Sequence, residues 1–221
     1  RSTGKVGVCF ATSGPGATNL TTGIATAYMD SSPVVFITCN VTEETLGKDA
    51  FQEVDITGIA MPITKATYLV RDPNEIPDVI REAFAVAAMG RPGPVLIDLL
   101  KNVTSLDTMI DYEYLPKEEH QFHGRLAELR KRVGWDLNTP APNQEDVEKL
   151  VDLIARSERP MLICGGGVVR SRADQEFAAL AQRLDAPVAI TVMGGGGFPG
   201  GHALTTGMLG MHGSRASNIG C

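Results

Sequence analysis

Short apolar segments alternate with helical periodicities along most of this chain, and several apolar segments end in a glycine-rich turn. The predicted strands lie at 6–10, 33–38, 66–70, 95–99, 160–164 and 187–192. The predicted helices lie at 17–29, 49–59, 74–88, 145–156 and 172–184. Strands that are apolar on both faces and separated by helices are typical of a parallel sheet covered on both sides. The alternation therefore predicts an α/β fold with a largely parallel sheet.

The middle of the chain breaks this alternation. Residues 106–143 are charged, aromatic and punctuated by proline, so we interpret them as a linker between two α/β units at 1–105 and 144–221. An amphipathic helix is predicted inside the linker at 124–133. It has two interpretations that both stay open: a solvated helix packed on a neighbouring domain, and a basic binding surface. We expect the second unit to be incomplete, because the apolar and glycine residues of 193–221 need further strands to cover them.

Composition and charge exclude several classes of protein. With 20 Lys and Arg against 26 Asp and Glu, the net charge is -6 at pH 7, which leaves no basic footprint for nucleic acid or an anionic membrane. No apolar run reaches the roughly 18 residues of a membrane-spanning helix. The four cysteines lie far apart, which argues against a disulfide framework or a zinc site. We expect a cytoplasmic protein, or a plastid or mitochondrial one in a eukaryote, without nucleic-acid or membrane partners.

Two glycine-rich turns are candidate binding sites, because open α/β sheets bind ligands at the carboxyl ends of their strands. The turn at 13–16 leaves backbone N–H groups at a helix N-terminus, which suits a polar or anionic group. It is not a P-loop, since no Gly-Lys-Ser/Thr follows. The turn at 165–167 lacks the full G-x-G-x-x-G spacing. For both turns, tight packing and a cofactor contact stay open as interpretations.

Groups of side chains that suggest catalysis are sparse. Asp49, Gln52 and Glu53 form the only compact polar set beside an apolar segment, and their spacing alone gives no mechanism. His120 and His123 imitate metal ligands, but they lie in the predicted linker, where solvated side chains are the simpler interpretation. The residues by themselves therefore do not identify a reaction.

Four motifs occur in order along the chain: ATSGPGATN at 11–19, GKDAFQE at 47–53, GRPGP at 90–94 and GMLGMHG at 207–213. Together they resemble the catalytic subunit of acetohydroxyacid synthase, also called acetolactate synthase. The first and third motifs are shared widely among thiamine-diphosphate enzymes, whereas the second and fourth are much more specific to this family. The resemblance covers nearly the whole chain except the linker.

The resemblance implies a fold and an activity. Residues 1–105 are expected to be the C-terminal part of a parallel-sheet domain that binds the thiamine pyrimidine, and residues 144–221 the N-terminal part of a central FAD-binding α/β domain. The family decarboxylates pyruvate and joins the two-carbon unit to a second 2-keto acid, pyruvate or 2-ketobutyrate, in branched-chain amino-acid biosynthesis. Its cofactors are thiamine diphosphate, FAD and Mg²⁺, and the Mg²⁺ ligands are expected outside this chain. A homo-oligomer and a regulatory subunit are the implied partners.

The family also suggests roles for residues of the first unit. Pro15 and Asn19 match positions that lie against the pyrimidine ring. Gln52 matches the amide near the pyrimidine amino group and is the one catalytic residue expected within this chain. Phe51 and Lys101 match residues that line the substrate channel.

The expected FAD contacts fall mainly in the second unit. Arg91, in the first unit, matches an FAD-contacting arginine, whose planar and permanently charged guanidinium suits a phosphate or a flavin edge. The segments expected to approach FAD contain Gly165, Gly166, Gly167, Thr191, Val192, Met193, Leu209, Gly210, Met211 and His212.

The chain also departs from the family pattern. The family's activating glutamate is expected before Arg1, so this chain alone is expected to be inactive. Cys39 and Asn40 stand where the family usually has Gly and Gln, and Leu100 and Asn102 where it usually has Pro and Asp. These changes bear on substrate preference. Two alternatives stay open: another thiamine-diphosphate carboligase or decarboxylase, such as glyoxylate carboligase, and a non-catalytic nucleotide-binding module.

Overall fold

The computed structural model describes residues 3–111 and 141–221. The chain divides into two compact units, Arg1–Thr139 and Pro140–Cys221, which are considered separately. The helix predicted at 124–133 lies outside the described residues. Among the described helices, none combines the length and the apolar character needed to cross a membrane.

The first unit is built on a four-stranded sheet. Its strands are β1 (Gly7–Ala11), β2 (Val34–Asn40), β3 (Ala66–Val70) and β4 (Pro94–Leu100). They pair in the order β1-β2-β4-β3, and all three pairings are parallel. The predicted parallel α/β architecture is therefore confirmed. Its carboxyl edge collects the loops that follow the strands.

Helices cover both faces of this sheet. They are α1 (Pro15–Asn19), α2 (Thr21–Met29), α3 (Ile56–Ala60) and α4 (Ile76–Ala88), with short 3₁₀ turns at Met61–Ile63, Pro73–Glu75 and Lys101–Val103. Because alternate residues of a strand point to opposite faces, the unit has two cores. One core joins the sheet to α4 and includes Val35, Ile37, Val95 and Ile97. The other joins it to α1, α2 and α3 and includes Ala17, Ile24, Phe36, Ile56 and Leu96.

Two helix predictions in this unit need correction. The helix predicted at 17–29 is divided at Leu20, whose N–H donates to the Ala17 carbonyl at 3.1 Å and so tightens the last turn of α1. The helix predicted at 49–59 is wrong over 49–55, because Asp49 and Gln52 have φ of 54° and 60°. Left-handed residues cannot continue a right-handed helix.

The second unit contains a three-stranded parallel sheet in the order β5-β6-β7. These strands are β5 (Leu162–Cys164), β6 (Val188–Ile190) and β7 (Thr205–Met208). Its helices are α5 (Gln144–Arg156), α6 (Gly166–Ser171), α7 (Asp174–Leu184) and α8 (Arg215–Gly220), with a 3₁₀ turn at Val192–Gly194. The core packs Cys164, Ala181, Val188 and Phe198.

Local signals misplaced two boundaries here. The glycine turn predicted at 165–167 is mostly helical, because Gly166 already begins α6. The helix predicted at 172–184 begins at Asp174, since Arg172 has φ 55° and ends α6 in the left-handed region.

Candidate functional site

The loops after β1 and β2 meet at the carboxyl edge of the first sheet. A Cβ added to Gly14 would lie 2.7 Å from the Gln52 carbonyl oxygen and 2.9 Å from the Gln52 Cα. Gly14 also has φ 59°, a left-handed conformation that residues other than glycine rarely adopt. The structure thus brings together the turn that begins α1 at Pro15 and the loop that carries Gln52.

The loop at 47–53, called the Gln52 loop below, is closed by the side-chain carboxylate of its own residue Glu53. Glu53 accepts hydrogen bonds from the backbone N–H of Gly47 and, at 2.8 Å, of Ala50. These bonds favour the ionised form and hold the pKa of Glu53 below its ordinary value. Asp49 and Gln52 both adopt left-handed φ inside this loop. Glu53 therefore fixes the loop geometry, a structural role that its position in the polar set of 49–53 did not reveal.

Four other predicted residues of this unit, Pro15, Asn19, Phe51 and Lys101, lie at the same edge or beside it. Pro15 is the first residue of α1 and Asn19 the last, and both are exposed. Residues four apart on a helix share one face. Phe51, with 89% of its surface exposed, precedes Gln52, and Lys101 follows β4 directly. These positions are compatible with a ligand bound at the carboxyl edge, and their individual roles stay predictions.

A buried polar cluster lies beneath this edge. Asp98 of β4 is completely buried, and its two carboxylate oxygens each accept a hydrogen bond at 2.7 Å, from the Thr38 hydroxyl and the Asn40 amide of β2. Burial raises the pKa of Asp98, and the two donors oppose that rise. Burial and the Asp98 charge also raise the pKa of the neighbouring Cys39 thiol.

Sequence analysis missed this cluster. The available signal was an aspartate inside the apolar run Val95–Leu100, together with polar residues at the end of β2. Parallel pairing places Thr38 directly beside Asp98, which neither segment reveals by itself.

Arg91 contacts its own chain at the C-terminal end of α2. Its Nε donates to the Ser31 hydroxyl at 2.7 Å, and its Nη2 donates to the carbonyls of Met29 at 3.2 Å and Tyr28 at 3.4 Å. The guanidinium carbon also lies 5.9 Å from the centre of the Tyr28 ring. A cation at this position stabilises the negative end of the helix dipole. This structural role was not foreseen, and the FAD contact expected for Arg91 stays a prediction.

A second candidate site lies at the carboxyl edge of the β5-β6-β7 sheet. Residues 165–167 follow β5, residues 191–193 follow β6, and residues 209–212 follow β7. The Thr191 N–H donates to the Cys164 carbonyl at 2.9 Å, and the Leu209 N–H donates to the Ile190 carbonyl at 2.8 Å. The three segments expected to approach FAD are therefore neighbours along one sheet edge.

Close backbone packing shapes this second edge. A Cβ on Gly194 would lie 2.0 Å from the Cys164 carbonyl oxygen, so only glycine fits there. The Gly194 N–H donates to the Thr191 hydroxyl at 3.1 Å. Asn218 brackets Gly210, donating to its carbonyl and accepting from its N–H, both at 3.0 Å. The sequence patterns did not indicate a role for Asn218.

Two apolar side chains are exposed at the second edge: Val192 and Met211 have 70% and 92% of their surfaces exposed beside backbone at the strand ends. The described residues contain no group of three or more His, Cys, Asp or Glu side chains able to hold a metal ion.

Two family profiles match this chain. The profile of the thiamine pyrophosphate enzyme N-terminal TPP binding domain matches residues 1–59. The profile of the thiamine pyrophosphate enzyme central domain matches residues 147–219. The two matches fall in the first and second units respectively, each of which contains a candidate edge.

Curated relatives match almost the entire chain. An acetolactate synthase of Arthrospira platensis is 48% identical over 222 residues, which cover 99% of this chain and 36% of that protein. A probable acetolactate synthase large subunit of Methanocaldococcus jannaschii is 48% identical over 219 residues, covering 99% of this chain and 35% of the relative. An acetolactate synthase large subunit of Corynebacterium glutamicum is 44% identical over 212 residues, covering 96% and 32%. The chain thus spans about a third of the length of these relatives.

Proposed function

This chain belongs to the acetolactate synthase large-subunit family of thiamine pyrophosphate enzymes, and from that premise we propose that the full-length protein containing it makes acetolactate. The proposed reaction releases CO₂ from pyruvate and joins the remaining two-carbon unit to a second 2-keto acid, pyruvate or 2-ketobutyrate. In this proposal the reaction supplies branched-chain amino-acid biosynthesis.

The observation that carries the proposal is the backbone contact between Gly14 and Gln52. It joins a motif shared among thiamine-diphosphate enzymes to the more specific segment Asp49–Glu53 at one sheet edge. Pro15 and Asn19 would hold the pyrimidine of thiamine diphosphate there, and the Gln52 amide would hydrogen-bond it. Thiamine diphosphate supplies the carbon nucleophile and stabilises the negative charge that decarboxylation leaves on carbon.

The residues of this chain would contribute orientation and exclusion of water. The Glu53 hydrogen bonds and the contact with Gly14 hold the backbone at Gln52 in one conformation, so the point from which its side chain extends is fixed before any ligand binds. Phe51 and Lys101 would line the approach of the 2-keto acid. An ammonium group suits the carboxylate of such a substrate.

The second edge supports a proposal for FAD. The segments at 165–167, 191–193 and 209–212 would contact it mainly through backbone, and Arg91 is a further proposed FAD contact. In this proposal Mg²⁺ binds to residues outside this chain. The relatives named large subunits support a regulatory small subunit as a partner. A homo-oligomeric assembly is also part of this proposal.

The test is acetolactate formation by the full-length protein with pyruvate, thiamine diphosphate, Mg²⁺ and FAD. We expect turnover to depend on thiamine diphosphate and to fall at least tenfold in Gln52→Ala. Gln175→Ala, at an exposed position of α7, is the control and should keep parental activity. Turnover of glyoxylate but not pyruvate would replace the proposal with glyoxylate carboligase. Thiamine diphosphate binding without turnover of either acid would indicate a binding module.

A further inference from the structure

The Gln52 loop is tied to the buried cluster beneath it through Asn40. The Asn40 Nδ2 donates to Asp98 Oδ2 at 2.7 Å and to the Val54 carbonyl at 3.3 Å. Its Oδ1 accepts from the Val41 N–H at 2.8 Å. Asn40 therefore links a central strand of the sheet to the chain two residues after Gln52.

This link lies at a point where the loop needs external support. Asp49 and Gln52 both have left-handed φ, and such conformations persist only where the surrounding structure holds them. The Glu53 carboxylate closes the loop on itself, but it does not fix the loop to the sheet. The Asn40 amide supplies that connection at the C-terminal end of the loop.

Asp98 in turn fixes the orientation of Asn40. Its carboxylate is completely buried, and a buried carboxylate needs hydrogen-bond donors. Thr38 donates to one oxygen and Asn40 to the other, so the Asn40 side chain cannot turn away without leaving a buried carboxylate oxygen unpaired.

We propose that Asn40, oriented by Asp98, is a positioning residue that holds the Gln52 loop against Gly14 in the geometry needed to bind thiamine diphosphate. In this proposal Asn40 acts through its hydrogen bond to Val54, the residue that directly follows the Gln52 loop. This inference rests on the proposed function, because the proposed function is what assigns the Gln52 loop to thiamine diphosphate binding. Among the described residues, Thr38 donates to the same carboxylate but has no hydrogen bond to the loop, so it is the control that separates positioning of the loop by Asn40 from support of Asp98 alone.

The matched pair Asn40→Leu and Thr38→Val tests this difference in the full-length protein. Each variant removes one hydrogen bond from Asp98, but only Asn40→Leu releases Val54. We expect Asn40→Leu to raise the half-saturating concentration of thiamine diphosphate at least tenfold, while Thr38→Val changes it less than threefold. Asn40→Gln retains the amide and should restore most of the lost affinity. Equal effects of Asn40→Leu and Thr38→Val would overturn the proposal.

Hydrogen exchange provides a readout that does not depend on activity. We expect the amides of Gly47 and Ala50 to exchange at least tenfold faster in Asn40→Leu than in the parent or in Thr38→Val. Asn40→Ser, too short to span from Asp98 to Val54, takes the place of Asn40→Leu if that variant does not fold. Unchanged exchange in the variant would refute the positioning role. Absence of acetolactate formation by the parent would refute the proposed function alone, because the exchange comparison still decides the role of Asn40.

Discussion

Gly14 and Gln52 pack backbone against backbone, although they belong to loops that follow different strands. Gly14 has room for a hydrogen atom only, and Gln52 has a conformation that most side chains avoid. The Gln52 backbone therefore restricts position 14 to glycine, and the left-handed φ restricts which residues position 52 accepts without strain.

Replacing Gly14 with alanine should destabilise the first unit by about 2 to 4 kcal/mol, because left-handed strain adds to overlap with the Gln52 backbone. Urea unfolding measures the change. Gly23→Ala is the control, since a Cβ at this helical glycine meets nothing within 4 Å. It should stabilise the protein by about 0.5 to 1 kcal/mol. Equal stabilities of the two variants would contradict the contact between Gly14 and Gln52.

Replacing Gln52 with glycine and with alanine should separate the cost of its left-handed backbone from the loss of its side-chain amide. Both substitutions remove the amide, so both should weaken thiamine diphosphate binding to a similar degree. Glycine relieves the left-handed φ, so Gln52→Gly should be about 1 kcal/mol more stable than Gln52→Ala in urea unfolding. If alanine is as stable as glycine, the loop does not hold position 52 in the left-handed region.

Asp55 should contribute a pH-dependent cap to α3. Its Oδ1 accepts from the Gly58 N–H at 2.9 Å and from the Thr57 hydroxyl at 2.8 Å, which lowers its pKa from 3.8. Asp55→Ala should cost about 1 kcal/mol at pH 7. Because the pKa is lower in the folded state, this contribution is present above pH 3.8 and lost as the pH falls through the folded value.

The check is the difference in unfolding free energy between the parent and Asp55→Ala, measured at pH 7 and near pH 3. A difference that does not shrink at the lower pH would count against the carboxylate as the cap. Asp55→Asn keeps an acceptor without a charge, so it should lose little stability and show no such pH dependence.

Arg91 should stabilise the C-terminal end of α2. Arg91→Ala removes three hydrogen bonds and a ring contact, so we expect a loss of about 1 to 2 kcal/mol, and Arg91→Lys should recover only part of it. Arg81→Ala, which breaks a partly exposed pair with Asp78 at 3.5 Å, should cost only about 0.5 kcal/mol. Thermal unfolding compares them. Equal losses for Arg91→Ala and Arg81→Ala would exclude the capping role.

Periodicity predicted the strands of the first unit well, because β2 and β4 are apolar runs buried on both faces. It missed β7, since Thr205, Thr206 and Gly207 give no apolar signal, and the strand exists through pairing with β6. It misjudged 49–55 because hydrophobic spacing carries no information about a loop that Glu53 closes from within.

The candidate sites were predicted in part. Glycine turns after apolar strands indicated both edges, and the family resemblance supplied Gln52 and the three segments of the second unit. The Asp98 cluster was beyond local patterns, because it depends on which strands are neighbours. The contact between Gly14 and Gln52 was missed for the same reason.

The strand order of the first unit has a consequence during synthesis. β4 is made last, yet it lies between β2 and β3, so those two strands have no shared neighbour until it arrives. A nascent chain that stops before Pro94 can pair β1 with β2 but leaves β3 without its partner. These four strands are therefore all paired only after Leu100 has left the ribosome, and until then the growing polypeptide exposes strand edges that favour aggregation.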